Sequence, residues 1–368
     1  MPERKFFLIG GFLGAGKTTL IGHFTQWLRE KDLKVGLVTN DQGKGLLDTT
    51  SAIKSAGSLS KVREITGGCF CCRLEDLISV IRDLDLTEHP DAIIAEPVGS
   101  CADLMATVIR PLETVYKIPV SFAPLCVVLD ARRALAALGG KKNKRNFHRD
   151  IGYVYRKQLE EAEWLIVNKT DLLNQEFLKD LRVRIEREFP NKRYFFVSAN
   201  KKEGLDNWFA CLLEARSSPV TSLKIDYDRY AVGEALLGWV NLSADCRSIS
   251  SEHNWEQWLR SLGREISVLL DQENCEVGHF KMSLEAEGQR HRVHQVLGGD
   301  DLHYISEISA NITPKLVVNL RAEGEAKILE SLVQQAISEQ SEVEVICSDR
   351  AAFQPGKPEP THRVADEI

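Results

Sequence analysis

The chain has 368 residues, of which 43% are hydrophobic and 27% are charged, and its formal net charge is −6. This length favours two domains with buried cores. A negatively charged chain offers no general surface for nucleic acid, and no apolar run approaches the ~20 residues that span a bilayer. We therefore expect neither a nucleic-acid partner nor a membrane partner.

The compartment is indicated by the start of the chain and by its thiols. The apolar stretch from Phe6 runs directly into a glycine-rich loop, which indicates a strand and not a signal peptide. Nine cysteines without a secretory signal are typical of a reducing environment. We therefore expect a cytoplasmic protein.

Apolar strand-like segments alternate with helical segments over residues 1–214. This alternation predicts an α/β fold with a mostly parallel sheet covered by helices on both faces, and with ligands at the carboxyl ends of the strands. The predicted strands lie at 5–10, 35–40, 91–96, 124–130, 163–168 and 193–198. The predicted helices lie near 17–30, 73–84, 101–110, 152–162, 174–188 and 204–214.

The pattern changes in the second part of the chain. Residues 215–226 have the composition of a linker. Residues 227–347 predict a smaller α+β domain, and the proline-containing tail at 348–368 is predicted to be disordered. The predicted elements of the smaller domain are helices near 252–270 and 323–339 and strands near 276–284, 290–297 and 315–321.

A phosphate-binding motif follows the first predicted strand. Residues 11–18 read Gly-Phe-Leu-Gly-Ala-Gly-Lys-Thr, which fits GxxxxGK[ST] between a strand and a helix. In such a loop Lys17 reaches the β/γ-phosphates and the Thr18 hydroxyl binds Mg²⁺. The nucleotide contacts predicted here are Gly11, Gly14, Ala15, Gly16, Lys17, Thr18 and Thr19.

The second concentration of reactive side chains is Gly-Gly-Cys-Phe-Cys-Cys at 67–72. Thiolates are soft ligands for Zn²⁺, Cu(I) and related ions, so Cys69, Cys71 and Cys72 are candidate metal ligands. Three thiolates leave one position of a tetrahedral site open. Two alternatives stay open, a redox-active thiol pair and simple packing of buried cysteines.

Glu96 and Gly99 follow a third apolar strand, where a P-loop protein senses Mg²⁺ and the γ-phosphate. We predict Glu96 as a catalytic residue together with Lys17 and Thr18, and Gly99 as a nucleotide contact. Ser100 occupies the place where Ras-like chains have glutamine, so we expect slow intrinsic hydrolysis.

Residues at the ends of two further predicted strands are candidates for recognising the base of the nucleotide. Asn-Lys-Thr-Asp at 168–171 places Asp171 to accept both N1–H and the exocyclic amino group of guanine, a pair that adenine lacks. Lys169 can lie along the base, and Asn168 can tie this loop to the phosphate loop. Ser198 and Ala199 end the next strand, where a backbone N–H suits guanine O6. These motifs together predict GTP and GDP as ligands.

In combination, these motifs resemble the CobW-type P-loop GTPases, relatives of UreG and HypB. The resemblance covers about the first 200 residues and includes the P-loop, the CxCC motif, Glu96-x-x-Gly99 and the segment 158–171. It implies a metallochaperone GTPase that binds Zn²⁺ or Co²⁺, or otherwise Ni²⁺, and delivers the metal to a client metalloprotein. It also implies that a nucleotide-dependent homodimer can form.

The chain departs from the family pattern in two places. Members usually carry Asn-Glu-Phe-Gly after the second strand, whereas this chain has Asn-Asp-Gln-Gly at 40–43, so Asp41 replaces the usual glutamate as a candidate metal ligand. The histidine-rich tract of many members is missing. An alternative function is a metal-responsive GTP-binding regulator or store with negligible turnover.

Several residues keep two interpretations from sequence. Cys101 either lies near the γ-phosphate switch and the cysteine cluster or opens a buried helix. His279, His291, His294 and His303 either form a secondary metal site or are ordinary histidines, since residues three apart on a strand face opposite sides.

Overall fold

The computed structural model describes residues 4–41, 61–139, 147–218, 222–249, 253–286, 289–295, 303–305 and 313–365. The chain divides into two compact units, and each has its own sheet. The first unit comprises Met1–Asn143, Gly152–Tyr230 and Pro358–Ile368, and the second comprises Lys144–Ile151 and Ala231–Lys357.

The first unit contains a parallel sheet with the strand order β3-β2-β4-β1-β6-β7-β8, in which β5 also pairs with β1. The strands are β1 (Lys5–Gly11), β2 (Val35–Asp41), β3 (Lys61–Thr66), β4 (Ala92–Glu96), β5 (Ser121–Phe122), β6 (Cys126–Asp130), β7 (Trp164–Asn168) and β8 (Arg193–Phe196). Every residue of β4, β6 and β7 is buried, as expected for strands covered on both faces.

Helices connect these strands. They are α1 (Lys17–Arg29), α2 (Leu74–Glu88), α3 (Ala131–Leu138), α4 (Arg149–Glu161), α5 (Gln175–Glu188) and α6 (Leu205–Glu214), with π-helical segments at Met105–Ile109 and Pro111–Val115. Leu20, Phe24 and Leu28 form the buried stripe of α1, and the Phe24 ring packs edge-on against Phe7 of β1 at 5.0 Å. The predicted α/β class is confirmed.

The second unit contains an antiparallel sheet with the strand order β12-β11-β10-β13-β9-β14. The strands are β9 (Leu237–Ser248), β10 (Val277–Ala286), β11 (Gln289–Gln295), β12 (His303–Ile305), β13 (Lys315–Glu323) and β14 (Val343–Phe353), and the remaining helices are α7 (Tyr227–Ala235), α8 (Trp255–Gln272) and α9 (Ala326–Ser338). The buried stripe of α8 includes Trp255, Leu259, Leu262 and Ile266, which belong to the apolar core of this unit.

The end of the chain differs from the prediction of a disordered tail. Residues up to Phe353 form β14, which pairs with β9 along most of its length. Beyond it, the backbone N–H groups of Thr361 and Val364 donate to the carbonyl oxygens of Cys71 and Ala106, at 2.9 and 2.8 Å. Strand pairing and these long-range hydrogen bonds order a segment whose composition alone predicted disorder.

The segment predicted as a linker is likewise held at both ends. The Ser217 N–H donates to the Phe122 carbonyl over 2.7 Å, and the Asp226 N–H donates to the Tyr153 hydroxyl oxygen over 2.7 Å. Within the described ranges, no helix combines the length and the apolar character that crossing a membrane requires.

Candidate functional site

The loop between β1 and α1 has the geometry that its glycines predict. Gly16 precedes α1 with φ of 95°, in the left-handed region that favours glycine. A Cβ on Gly16 would lie 2.4 Å from Nδ2 of Asn168, so a larger residue does not fit. The loop leads into the N-terminus of α1, where free N–H groups and the helix dipole favour a phosphate group.

The three predicted catalytic side chains meet beside this loop. The Lys17 ammonium donates to the Gly11 carbonyl over 2.9 Å, and the Thr18 hydroxyl donates to Glu96 Oε1 over 2.8 Å. Lys17 and Glu96 are both buried, with 8% of each exposed. The two side chains suited to Mg²⁺, Thr18 and Glu96, are therefore in direct contact at the carboxyl end of β4. Ala15 is buried in the loop and Thr19 is exposed on α1.

Asn168 joins the phosphate loop to the predicted base loop. Its Nδ2 donates to the Ala15 carbonyl over 2.9 Å, and its Oδ1 accepts the Ala199 N–H over 3.0 Å. Lys169 donates from Nζ to the Gly14 carbonyl at 2.7 Å and pairs with Asp130 at 2.9 Å. One asparagine and one lysine thus fix three loops relative to one another.

Asp130 is a part of this site that the sequence motifs did not reveal. It caps α3 by accepting the N–H groups of Arg132 and Arg133 through Oδ1. Burial alone would raise the pKa of Asp130, but the Lys169 ammonium and then Arg133 hold the pKa below its ordinary value. Asp130 is therefore a carboxylate that positions Lys169.

The predicted base-reading residues are joined to one another by hydrogen bonds. The Ser198 hydroxyl donates to Asp171 Oδ1 over 2.6 Å, which orients that carboxylate. The Ala199 N–H donates to Asn168 Oδ1 over 3.0 Å. Ser198 and Ala199 therefore act in this structure by holding Asp171 and Asn168 in place.

The three clustered cysteines converge in a turn that precedes α2. The Cys72 N–H and the Arg73 N–H both donate to the Cys69 carbonyl, at 3.1 and 2.9 Å. The Cys69 sulfur lies 2.8 Å from that of Cys71 and 3.1 Å from that of Cys72, and the Cys71 and Cys72 sulfurs are 3.8 Å apart. The turn, and not an extended chain, brings the sulfurs to one point. Among the described side chains, these three form the only such group of potential metal ligands.

Hydrogen bonds between the three thiols shift their pKa values in different directions. Hydrogen bonds with Cys101, then with Cys71 and Cys72, hold the pKa of Cys69 far below its ordinary value. The hydrogen bond to Cys69 raises the pKa of Cys71 well above its usual range and raises the pKa of Cys72 to about 11. The lowered pKa favours the thiolate form of Cys69, and a soft metal ion is suited to replace the protons of the neighbouring thiols.

The loop after Glu96 packs against the phosphate loop. A Cβ on Gly99 would lie 2.7 Å from a side-chain carbon of Leu13 and 3.0 Å from the Leu13 backbone nitrogen. Only glycine fits at such an approach. Gly99 therefore places the backbone that follows β4 directly beside the P-loop.

The C-terminal segment lies across the cysteine turn, a feature that sequence did not predict. The Glu359 N–H donates to the Cys72 sulfur over 3.3 Å, and the Thr361 N–H donates to the Cys71 carbonyl. Further along, the Arg363 guanidinium donates to Asp103 Oδ2 over 2.6 Å. A backbone N–H on a cysteine sulfur stabilises the thiolate form, so the segment contributes to the cluster.

Two other predicted metal-ligand positions, Asp41 and the histidines of the second unit, are not tested by the described side chains. Asp41 ends β2 in register with Thr66, two residues before Gly68, but its side chain is outside the described part of the structure. His279 is buried in β10, and His294 is paired in register with His303. The side chains of His291, His294 and His303 are not among those described, so the histidine site stays a prediction.

The parallel sheet, the P-loop and the Asn-Lys-x-Asp loop define the nucleotide-binding domain of a P-loop GTPase. The family model described as CobW/HypB/UreG, nucleotide-binding domain, matches residues 5–196, which is just over half of the chain. The chain therefore belongs to the CobW/HypB/UreG family, and the resemblance stated from its motifs is confirmed.

Curated relatives share this domain. The chain is 27% identical over 215 residues to the zinc chaperone CobW of Sinorhizobium sp, a match covering 52% of this chain and 58% of that protein. It is 29% identical over 219 residues to the urease accessory protein UreG of Aliarcobacter butzleri, covering 56% of this chain and 97% of UreG. It is 29% identical over 170 residues to the zinc chaperone YeiR of Escherichia coli, covering 45% and 46%. The chain thus spans about half the length of the zinc chaperones that it matches.

Solved structures give more distant similarities. HypB from Helicobacter pylori, in complex with nickel, is 19% identical with a TM-score of 0.41, covering 60% of this chain and 92% of HypB. The Zn(II)-bound YjiA GTPase from E. coli is 13% identical with a TM-score of 0.37, covering 92% and 99%.

Proposed function

We propose that the protein binds and hydrolyses GTP, and that this cycle controls the binding of a transition metal at Cys69, Cys71 and Cys72 and its transfer to a client metalloprotein. One observation carries the proposal. The segment from Glu96 to Cys101 contacts Thr18 at one end and the Cys69 sulfur at the other. A change in the position of Glu96 at the γ-phosphate can therefore reach the cysteine cluster through a segment of six residues.

Guanine selectivity rests on Asp171, which Ser198 orients. In the nucleotide complex, Thr18 and Glu96 would hold Mg²⁺, which neutralises charge on the β- and γ-phosphates when bound. Their 2.8 Å contact and their place at the strand end fit that ion. Lys17 supplies the second positive charge beside the phosphates.

Zinc is the first metal to test, and Co²⁺ and Ni²⁺ follow it. Three converging sulfurs suit a soft tetrahedral ion, and two of the relatives described above are named zinc chaperones. A site of this kind works in a reducing compartment, and we propose the cytoplasm. A nucleotide-dependent homodimer and the identity of the client stay predictions.

The alternative is a metal-responsive GTP-binding regulator or store. It is favoured by Ser100, which follows Gly99 where Ras-like proteins carry the glutamine that orients water. The two functions differ in turnover. A metallochaperone hydrolyses GTP repeatedly when metal and an acceptor are present, whereas a store holds both ligands without turnover.

Phosphate release under multiple-turnover conditions separates these functions. The assay uses GTP and Mg²⁺ with and without Zn²⁺ and a thiolate-rich acceptor peptide. Lys17→Ala abolishes release, whereas Lys34→Ala, which changes an exposed lysine at the start of β2, leaves it unchanged. If the wild type releases no more than one phosphate per chain under every condition, the metallochaperone function is wrong and the store is supported.

A further inference from the structure

A fourth cysteine reaches the cluster from a different part of the chain. Cys101 lies 29 residues beyond Cys72, in the segment that follows β4, and only 2% of it is exposed. Its thiol forms a side-chain hydrogen bond with the Cys69 sulfur. The Cys101 sulfur is not one of the three sulfurs that all lie within 4.8 Å of one another, and it contacts that group through Cys69. Two segments therefore meet at the cluster, the turn before α2 and the loop after Glu96.

The backbone around Cys101 is held by buried hydrogen bonds. Nε2 of Gln158 donates to the carbonyl oxygens of both Gly99 and Cys101, at 3.0 and 2.8 Å. The Tyr230 hydroxyl accepts the Ala102 N–H over 3.0 Å. Gln158 thus joins the residue packed on the P-loop to the residue that touches the cluster. Gly99 and Cys101 are therefore linked both by two hydrogen bonds to one side chain and by the single residue between them.

We propose that Cys101 supplies a fourth thiolate to the metal held by Cys69, Cys71 and Cys72, and that the nucleotide state decides whether this ligand is engaged. The proposal rests on the metal-binding function described above. When Cys101 binds, its thiol loses a proton to solvent and a metal–sulfur bond forms, with no change in oxidation state. Four thiolates close a tetrahedral site, whereas three leave a position that an acceptor's ligand can enter.

The protein would then bind the metal with two different affinities, one with Cys101 engaged and one without it. With Cys101 engaged, the ion is enclosed and retained. With Cys101 withdrawn by movement of the loop from Glu96 to Cys101, the ion is exposed to exchange. The fourth ligand thereby explains how one chain can both hold a metal tightly and release it, since the change requires only the loop that packs against the P-loop at Gly99.

Cobalt spectroscopy counts the thiolates. Full-length apoprotein is titrated with Co²⁺ without oxygen, with GTP or GDP present, and the thiolate-to-cobalt charge-transfer absorbance is measured per bound ion. In one nucleotide state Cys101→Ser lowers this absorbance by about one quarter, and it weakens Zn²⁺ binding in competition titrations by about 10–100-fold or more. In the other state, Cys101→Ser changes neither quantity.

A matched control is Cys126→Ser, which places a serine at a buried cysteine of β6 outside the cluster and leaves both quantities at the wild-type value. GTP binding by each variant shows that the fold is retained, and Cys101→Ala replaces Cys101→Ser if it is not. Equal absorbance for wild type and the Cys101 variants in both nucleotide states overturns the fourth ligand and leaves the metal function standing. If the wild type shows no thiolate band at all, the metal function itself fails.

Discussion

The Thr18 hydroxyl and the Glu96 carboxylate are joined by a 2.8 Å hydrogen bond between the first turn of α1 and the end of β4. The two residues are 78 positions apart, and the parallel pairing of β1 with β4 brings them together. Every prediction about turnover depends on this contact, because it places an acidic group where the γ-phosphate and its metal ion are expected.

Glu96→Gln tests the role of that acidic group. The amide keeps the size of the side chain and can still accept from Thr18, but it carries no charge with which to hold Mg²⁺ or orient water. We expect nucleotide affinity to stay close to wild type while turnover falls about a hundredfold. The measurement combines fluorescent GDP binding with phosphate release, and Glu30→Gln at the end of α1 is the control. Wild-type turnover would remove Glu96 from the catalytic set.

Asp171→Asn tests the reading of the base. The substitution replaces an acceptor with a donor opposite N1–H and the exocyclic amine, so GTP binding weakens by about 1–3 kcal/mol. Xanthine carries an acceptor in place of that amine, so XTP binding improves. Competition titrations with GTP, ATP and XTP measure both effects, with the exposed Asp206→Asn as the control. If wild type binds ATP as tightly as GTP, the assignment of Asp171 is wrong.

Arg363→Ala tests the docking of the C-terminal segment. Burial raises the pKa of Asp103 above its usual value, although Arg363 and Tyr227 pull it down through hydrogen bonds. A carboxyl whose folded pKa is raised reduces stability as pH rises above its unfolded value, which is about 4. Removing Arg363 raises the pKa further. The variant is therefore destabilised by about 1–3 kcal/mol at pH 7 and by less at pH 4.

Denaturant unfolding of the variant at both pH values measures this difference. Asp103 has φ of 65°, a conformation that asparagine tolerates, so Arg363→Ala combined with Asp103→Asn is a suitable control. Measured relative to Asp103→Asn alone, the loss of stability caused by Arg363→Ala in the double variant no longer depends on pH. A deficit in Arg363→Ala that is the same at pH 4 and pH 7 would show that the Asp103 charge does not determine docking.

The proton balance of the cluster predicts how metal affinity depends on pH. The hydrogen bond to Cys69 raises the pKa of Cys72 to about 11 and also raises the pKa of Cys71, so both carry protons at neutral pH. A metal must displace them. In the nucleotide state in which Cys101 is not engaged, metal affinity therefore rises with pH, by about a hundredfold per unit for two protons, between pH 6 and 8. Zn²⁺ competition titrations measure the slope, and Cys71→Ser reduces it by one proton. A flat profile would place the metal elsewhere.

The family and the arrangement of the strand-end loops were predictable because nucleotide chemistry demands particular residues at fixed spacings. Lys17, Glu96 and Asp171 each follow an apolar strand, and strand ends in a parallel sheet meet at one edge. β3 escaped prediction because it ends the strand order and reads Lys-Val-Arg-Glu-Ile-Thr, with only two apolar residues. Edge position, and not local propensity, decides such a strand.

The remaining features depend on contacts that sequence distance conceals. The Glu359 N–H donates to a sulfur 287 positions away. The nearby prolines predicted disorder, because composition carries no information about such a distant partner. Cys101 had two interpretations because its partner, Cys69, belongs to another segment. Asp130 has no motif of its own and is recognised only through its pairing with Lys169.

The central claim is that nucleotide and metal are coupled, and the most direct test is Zn²⁺ affinity measured in the GTP-bound and GDP-bound states of the full-length protein. A non-hydrolysable GTP analogue holds the first state during competition titrations. We predict that the two affinities differ by about 5–150-fold, which is a coupling of about 1–3 kcal/mol, and that Zn²⁺ shifts GTP-analogue affinity relative to GDP by the same factor. Equal Zn²⁺ affinity in both states would contradict the claim and leave a GTPase that holds a metal without controlling it.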